Sequence, residues 1–183
     1  MERLLDRFKD LVKTNFGNEK IATEFLHRLN KGNITKDEDS ESHFCVYFAA
    51  YDLKQKQLFI GHHKKSGLLL FNGGHIDKGE FSTEAVEREI EEEWGIKIQA
   101  NSIDDPRLLT ITEIDNPTKQ TCRRHYDIWY FISVNKDEFF PSRENLSVEF
   151  YDIKWMTSAE AKRIVIEPGI LKAIKFLEEK VFV

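Results

Sequence analysis

Long apolar runs are missing. No stretch of the 183 residues approaches the roughly 18–20 uninterrupted apolar residues that cross a bilayer, so a membrane span is not expected. The opening Met1-Glu2-Arg3-Leu4-Leu5-Asp6-Arg7 lacks the basic and apolar regions of a secretory leader, which makes the cytoplasm the expected location. Cysteine is scarce. Cys45 and Cys122 sit in apolar runs with neither zinc-ligand nor CxxC spacing, so both read as buried free thiols and redox chemistry is not expected. A basic excess is lacking too: 27 Lys and Arg face 32 Asp and Glu, for a net charge of -5, and bulk nucleic-acid binding would need a basic face. Repeats and low-complexity tracts are absent, and the length suits one domain plus an extension.

What is present is enough apolar and aromatic side chain, 40% and 12%, to fill a core. The charge is unevenly placed. Between Glu80 and Gly95 seven glutamates face only Arg88, which leaves the rest of the chain near +1. Residues 1–30 read as two amphipathic helices, with Leu4, Leu5, Phe8, Leu11 and Val12 and then Ile21, Phe25, Leu26 and Leu29 at helical spacing. Packing on the main domain is the plain expectation for this extension; a homodimer contact or a flap over a substrate are the alternatives. Residues 31–42 have little apolar content and read as a solvated connector. Strand patterns follow at 43–52, 57–62, 68–71, 108–114, 124–134 and 149–156, and helical patterns at 158–165 and 169–181, the last announced by Pro168. Interleaved strands and helices predict a mixed α/β sandwich spanning 43–183, preceded by a helical extension over 1–42.

The acidic segment reads as a helix over 83–94, with Ser82 as its cap and Gly95 as its left-handed stop. At ~100° per residue Glu89, Glu92 and Glu93 share one arc, next to the arc of Val86, Ile90 and Trp94 that would anchor the helix. Like charges so spaced repel by a few tenths of a kcal/mol per pair. Three converging carboxylates suit a hard divalent cation, Mg²⁺ or Mn²⁺. A solvated acidic face is the other reading, and the helix alone leaves both open.

The order of residues is more specific. Gly74, five residues, Glu80, seven residues, then Arg88-Glu89-Ile90-Glu91-Glu92-Glu93-Trp94-Gly95-Ile96 resembles the signature of the Nudix hydrolases at every defined position. The resemblance implies that family's α/β/α sandwich with a mixed sheet. It also implies metal binding by Glu89, Glu92 and Glu93 and by the Gly73 carbonyl, and a loop-to-helix pair between Glu80 and Arg88. Such a pair would keep Arg88 from neutralising the metal carboxylates. The implied reaction is hydrolysis of a diphosphate in a small nucleotide-type substrate by metal-activated water. Glu92 or Glu93 would take the proton, or Glu149, six residues before Trp155, with Glu144 as its alternative. One departure is Asn72-Gly73-Gly74, where many members have Pro-Gly-Gly.

Residues 123–132 alternate at period two. Tyr126, Ile128, Tyr130 and Ile132 form a core face, and Arg123, His125, Asp127, Trp129 and Phe131 the other. That second face reads in two ways: as a pocket lining, Trp129 stacking a nucleobase and Arg123 or His125 contacting phosphate or ribose, or as strand-end polar groups and a core aromatic. His62-His63-Lys64-Lys65 reads as a solvated hairpin turn, with the alternative that His63 and Lys64 add cations at the same mouth. Two other functions stand against hydrolysis: a nucleotide-sensing module that does not cleave, and an isopentenyl diphosphate isomerase-like enzyme using Cys45 or Cys122. A sensing module is expected to have lost metal carboxylates, and the intact signature argues against both.

Overall fold

Alternation along two long strands decides the layering. In the computed structural model, which describes residues 2–114 and 121–183, β1 (Ser42–Asp52) and β6 (Arg124–Ser133) run parallel at the centre of one seven-stranded mixed sheet. Phe44, Val46 and Phe48 on β1 and Tyr126, Ile128 and Tyr130 on β6 are buried in one core. Tyr51, Ala49, Trp129 and Phe131 are buried in another, on the opposite face. The other strands join antiparallel: β2 (Gln57–His63) and β4 (Asn72–His75) on β1, β3 (Leu69–Leu70) and β7 (Phe150–Thr157) on β2, and β5 (Leu108–Glu113) on β6.

Helices pack on the first face. α3 (Ser82–Trp94) buries Val86, Ile90 and Trp94, the arc expected from the sequence. α1 (Glu2–Phe16) and α2 (Lys20–Asn30) bring Phe8, Val12, Phe16, Phe25 and Leu29 into the same core, Phe25 meeting Phe44 edge-on at 5.7 Å. Each such side chain contributes roughly 1.5–3 kcal/mol on burial, so the N-terminal helices are packed structure on the sheet. The second face is covered by α6 (Pro168–Lys180), through Ile170, Ala173, Ile174 and Leu177. α5 (Ser158–Lys162) begins at a Thr157–Glu160 capping box.

Two local expectations are corrected. The 31–42 segment is not simply solvated: Ile34 and Thr35 are buried, and the buried Arg28 guanidinium donates to the Gly32 and Asn33 carbonyls, to Ser42 Oγ and to Asp39 Oδ2 at 3.1 Å. A long cationic side chain adds to the order supplied by the segment's own bonds from Thr35 to Glu38 and from the Ser42 N–H to Asp39. Ser82 is not the cap of α3. The helix starts with it, Glu84 accepts from the Phe81 N–H at 2.6 Å, and Ser82 Oγ pairs with the Tyr130 hydroxyl inside the core.

Candidate active site

Strand β4 and helix α3 face each other across the sheet edge, and the chain between them is tied by Arg88. Its Nε and Nη2 donate to the two oxygens of Glu80 at 2.8 and 3.0 Å, and Nη2 also donates to the His75 carbonyl at 2.9 Å. The fork thus joins loop, helix and strand. It does not leave the other carboxylates alone, as the sequence suggested: Nη1 donates to Glu89 Oε1 at 2.7 Å and lies 3.4 Å from Glu92 Oε2. The reason is geometric. Glu80 occupies only one edge of a guanidinium, and the free corner points along the helix to residues one and four positions on.

Glu89 and Glu93 are buried, whereas the Glu92 side chain is 59% exposed. Gly74 makes room for Glu89, since a side chain at 74 would collide with that carboxylate. Glu93 accepts from the Asn72 side-chain amide and, at 3.1 Å, from the Gly73 N–H. The Asn that replaces proline therefore holds a carboxylate. Burial pushes Glu89 up to about 7, with Glu92 and Glu149 adding to it and Arg88 opposing. Burial also pushes Glu93 well above the usual carboxylate range, reinforced by Glu149 and Glu89 and opposed by the Asn72 amide.

Glu149 reaches this group because of a helix the strand pattern hid. α4 (Arg143–Glu149) is capped by Ser142, and its Asn145 side chain donates to the Glu92 carbonyl at 2.8 Å, so the two helices are joined end to end. Its last residue, Glu149, lies 3.6 Å from His63 Nε2. The adjacent Lys64 is engaged with the Ser147 carbonyl and lies 5.8 Å over the Tyr151 ring. Glu144 sits exposed in the first turn of α4, at the end away from Glu149.

Of the two readings of the 123–132 face, the core aromatic is the one the structure has. Trp129 is fully buried, stacks on Tyr47 at 4.3 Å and donates to Thr110 Oγ1 at 2.8 Å. It is unavailable to a nucleobase in this structure, because α6 and Phe71 close over it. His125 packs its ring on His43 and His75, at 4.8 and 5.3 Å between centroids, and not toward the carboxylates. Arg123 lies on the turn into β6, where its N–H donates to the Glu41 carbonyl. Next to these, Asp127 is wholly buried, accepts from Thr110 and Thr112, and is pushed up to about 7 by burial.

The NUDIX domain model matches residues 43–178, and the chain belongs to the NUDIX family. The fold is shared with solved structures of low sequence identity. The E. coli dihydroneopterin triphosphate pyrophosphohydrolase aligns over 75% of this chain and 94% of its own, at 17% identity and a TM-score of 0.61. A NUDIX-family hydrolase from Clostridium perfringens aligns over 74% and 96%, at 22% identity and a TM-score of 0.53. The MutT protein from Bacillus halodurans aligns over 75% and 83%, at 18% identity and a TM-score of 0.55. No curated protein sequence matches the chain. Among the described residues, no helix is long and apolar enough to cross a membrane.

Proposed function

We propose that this chain hydrolyses the diphosphate linkage of a nucleoside diphosphate derivative or nucleoside triphosphate, with Mg²⁺ as the preferred ion and Mn²⁺ able to replace it. The observation that carries the reading is the burial of Glu89 and Glu93 beside the Gly73-Gly74 pair, with Glu149 acting on both. Buried carboxylates are costly without counter-charge, and Arg88 supplies one positive charge to the group. The donors are all oxygen, which fits a hard divalent cation. Glu89, Glu92, Glu93 and the Gly73 carbonyl would hold it. Such an ion lowers the pKa of bound water and offsets charge on phosphate oxygens.

The protein's own part is positioning and proton transfer. Arg88 fixes β4 against α3 through Glu80 and the His75 carbonyl. Glu149, 46% exposed and beside His63, is the group we assign to take a proton from the attacking water; Glu92 and Glu93 border the same space. His63 and Lys64 stand at that end of β2, within reach of a phosphate entering over α4. An open depression of about 380 Å³ lined by Glu84, Glu87, Arg88, Glu91 and Glu92 is charged and mostly acidic, a lining that suits hydrated cations better than a nucleobase. Residues 43–183 are the catalytic unit in this reading and residues 1–42 its helical extension.

The test is phosphate-product profiling of the full chain with Mg²⁺ over ADP-ribose, dinucleoside polyphosphates, oxidised nucleotides and CDP-type compounds, against Glu92→Gln. Glu92 is exposed, so the variant should fold. A loss of roughly 100-fold or more on whichever compound is cleaved supports the reading. Equal turnover by both proteins, or none by the wild type, overturns it.

A further inference from the structure

The second face of the sheet changes character along its length. Toward the C-terminal ends of β1 and β6 it is apolar under α6, but toward their N-terminal ends the register places His43 beside His125 and, one row on, Cys45 between His75 and Asp127. Cys122, buried just before β6, joins them. One ligand-capable atom from each of His43, His75, Cys122 and His125 lies within 4.8 Å of all the others. We propose that these four side chains form a metal site for a borderline divalent transition ion, Zn²⁺ first, separate from the carboxylate site.

Two further observations point to an occupant. His43 is fully buried, and its Nδ1 lies 2.9 Å from the Asp39 carbonyl, which can only accept. Nδ1 therefore carries the proton, and Nε2 presents a bare lone pair with no hydrogen-bond partner among the described residues. An imidazole fixed in this way by a backbone carbonyl is the usual supported state of a metal-bound histidine. The buried Nε2 of His125 likewise has no partner among the described residues. Two such atoms within one small cluster are an unmet cost that an ion would relieve.

The donor set decides the chemistry. Three imidazoles and one thiolate are nitrogen and sulfur ligands, which favour tetrahedral zinc over magnesium. Ligand atoms of such a set sit about 3.3–3.5 Å apart around tetrahedral zinc, from bonds of ~2.0 Å to nitrogen and ~2.3 Å to sulfur, so side-chain shifts of about one ångström close the cluster. Four protein donors leave no open position, the mark of a bracing site. The bracing has a direction: His75 follows Gly74 on β4, and its carbonyl is the one Arg88 holds. Cys122 and His125 are three residues apart, a ligand spacing that shows only when cysteine and histidine are taken together.

The test uses the full chain stripped of metal and titrated with Co²⁺ as a spectroscopic stand-in. One equivalent should give the visible bands of tetrahedral cobalt together with a thiolate-to-cobalt charge-transfer band in the near ultraviolet, and one equivalent of Zn²⁺ should erase both. Cys122→Ser should lose the charge-transfer band, whereas Cys45→Ser and Glu92→Gln should retain it. Absence of that band in the wild type overturns the proposal, whether or not cobalt binds elsewhere. So does its survival in Cys122→Ser, or its loss in Cys45→Ser. Should Cys122→Ser fail to fold, the wild type and Cys45→Ser still decide. The result is independent of hydrolysis, since it is read without substrate.

Discussion

The Glu89 carboxylate occupies the space in which a side chain at Gly74 would stand. Strand and helix are thus fitted to each other at one residue pair, and the glycine is required by this close approach. Gly74→Ala forces either Glu89 or β4 to move. We expect the Mg²⁺-dependent rate to fall by roughly 100-fold or more, as misplacement of about 1 Å in a positioned group commonly does. Far-ultraviolet circular dichroism should show the fold retained. A variant with the wild-type rate would mean that Glu89 has no positional role.

The elevated Glu89 carboxyl gives a pH dependence with a definite sign. Burial and its acidic neighbours raise it from 4.5 to about 7, so the folded, metal-free protein keeps a proton that the unfolded chain releases in that interval. The associated stability is fully present below pH 4.5 and is lost as pH rises to about 7, on the order of 3 kcal/mol. Buried Asp127, also raised to about 7, declines over the same window, so the Glu89 share is the difference between wild type and Glu89→Gln in thermal melts from pH 4.5 to 8. Because a cation binds the ionised form, Mg²⁺ should raise the wild-type Tm more at pH 8 than at pH 5. Equal Mg²⁺ effects at both values would contradict a metal on this carboxylate.

Much of this architecture was legible because its signals are periodic. Val86, Ile90 and Trp94 announced the buried stripe of α3, and the even residues of 124–132 announced a core face, since both patterns follow from burying one side of a regular element. The same helical period puts Glu89, Glu92 and Glu93 on one arc. Its limits lie where long-range contacts decide. Nothing local says that Arg28 will order residues 32–42, and the short α4 lies next to a strand pattern that absorbs its last residue. Trp129 stays open between pocket and core in the sequence for a similar reason: alternation gives the face but not what covers it, and the cover is α6, some forty residues later.

That cover gives Trp129 a structural role. Trp129→Ala should cost roughly 3–5 kcal/mol, as removal of a large buried aromatic does, read as a lowered urea midpoint. Trp129→Phe keeps most of the packing and loses the bond to Thr110, for about 1 kcal/mol. In both, the KM of the folded fraction should stay within about twofold of wild type. A rise of tenfold in Trp129→Phe, with stability intact, would return the residue to the substrate pocket.

Asn72 is where this chain departs from the more common proline, and its side chain shares Glu93 with the Gly73 N–H. If Glu93 is a metal ligand, an amide that orients its oxygens belongs to the supporting shell, and loss of such support typically weakens metal affinity 10–100-fold. Asn72→Ala should therefore raise the Mg²⁺ concentration for half-maximal rate by about that factor while leaving kcat at saturating Mg²⁺ near wild type. Asn72→Asp should be worse, because a second carboxylate would oppose the ionised form of Glu93. A half-maximal concentration unchanged in Asn72→Ala would mean that the amide holds Glu93 for packing alone, and that the proline found elsewhere serves the loop equally well without it.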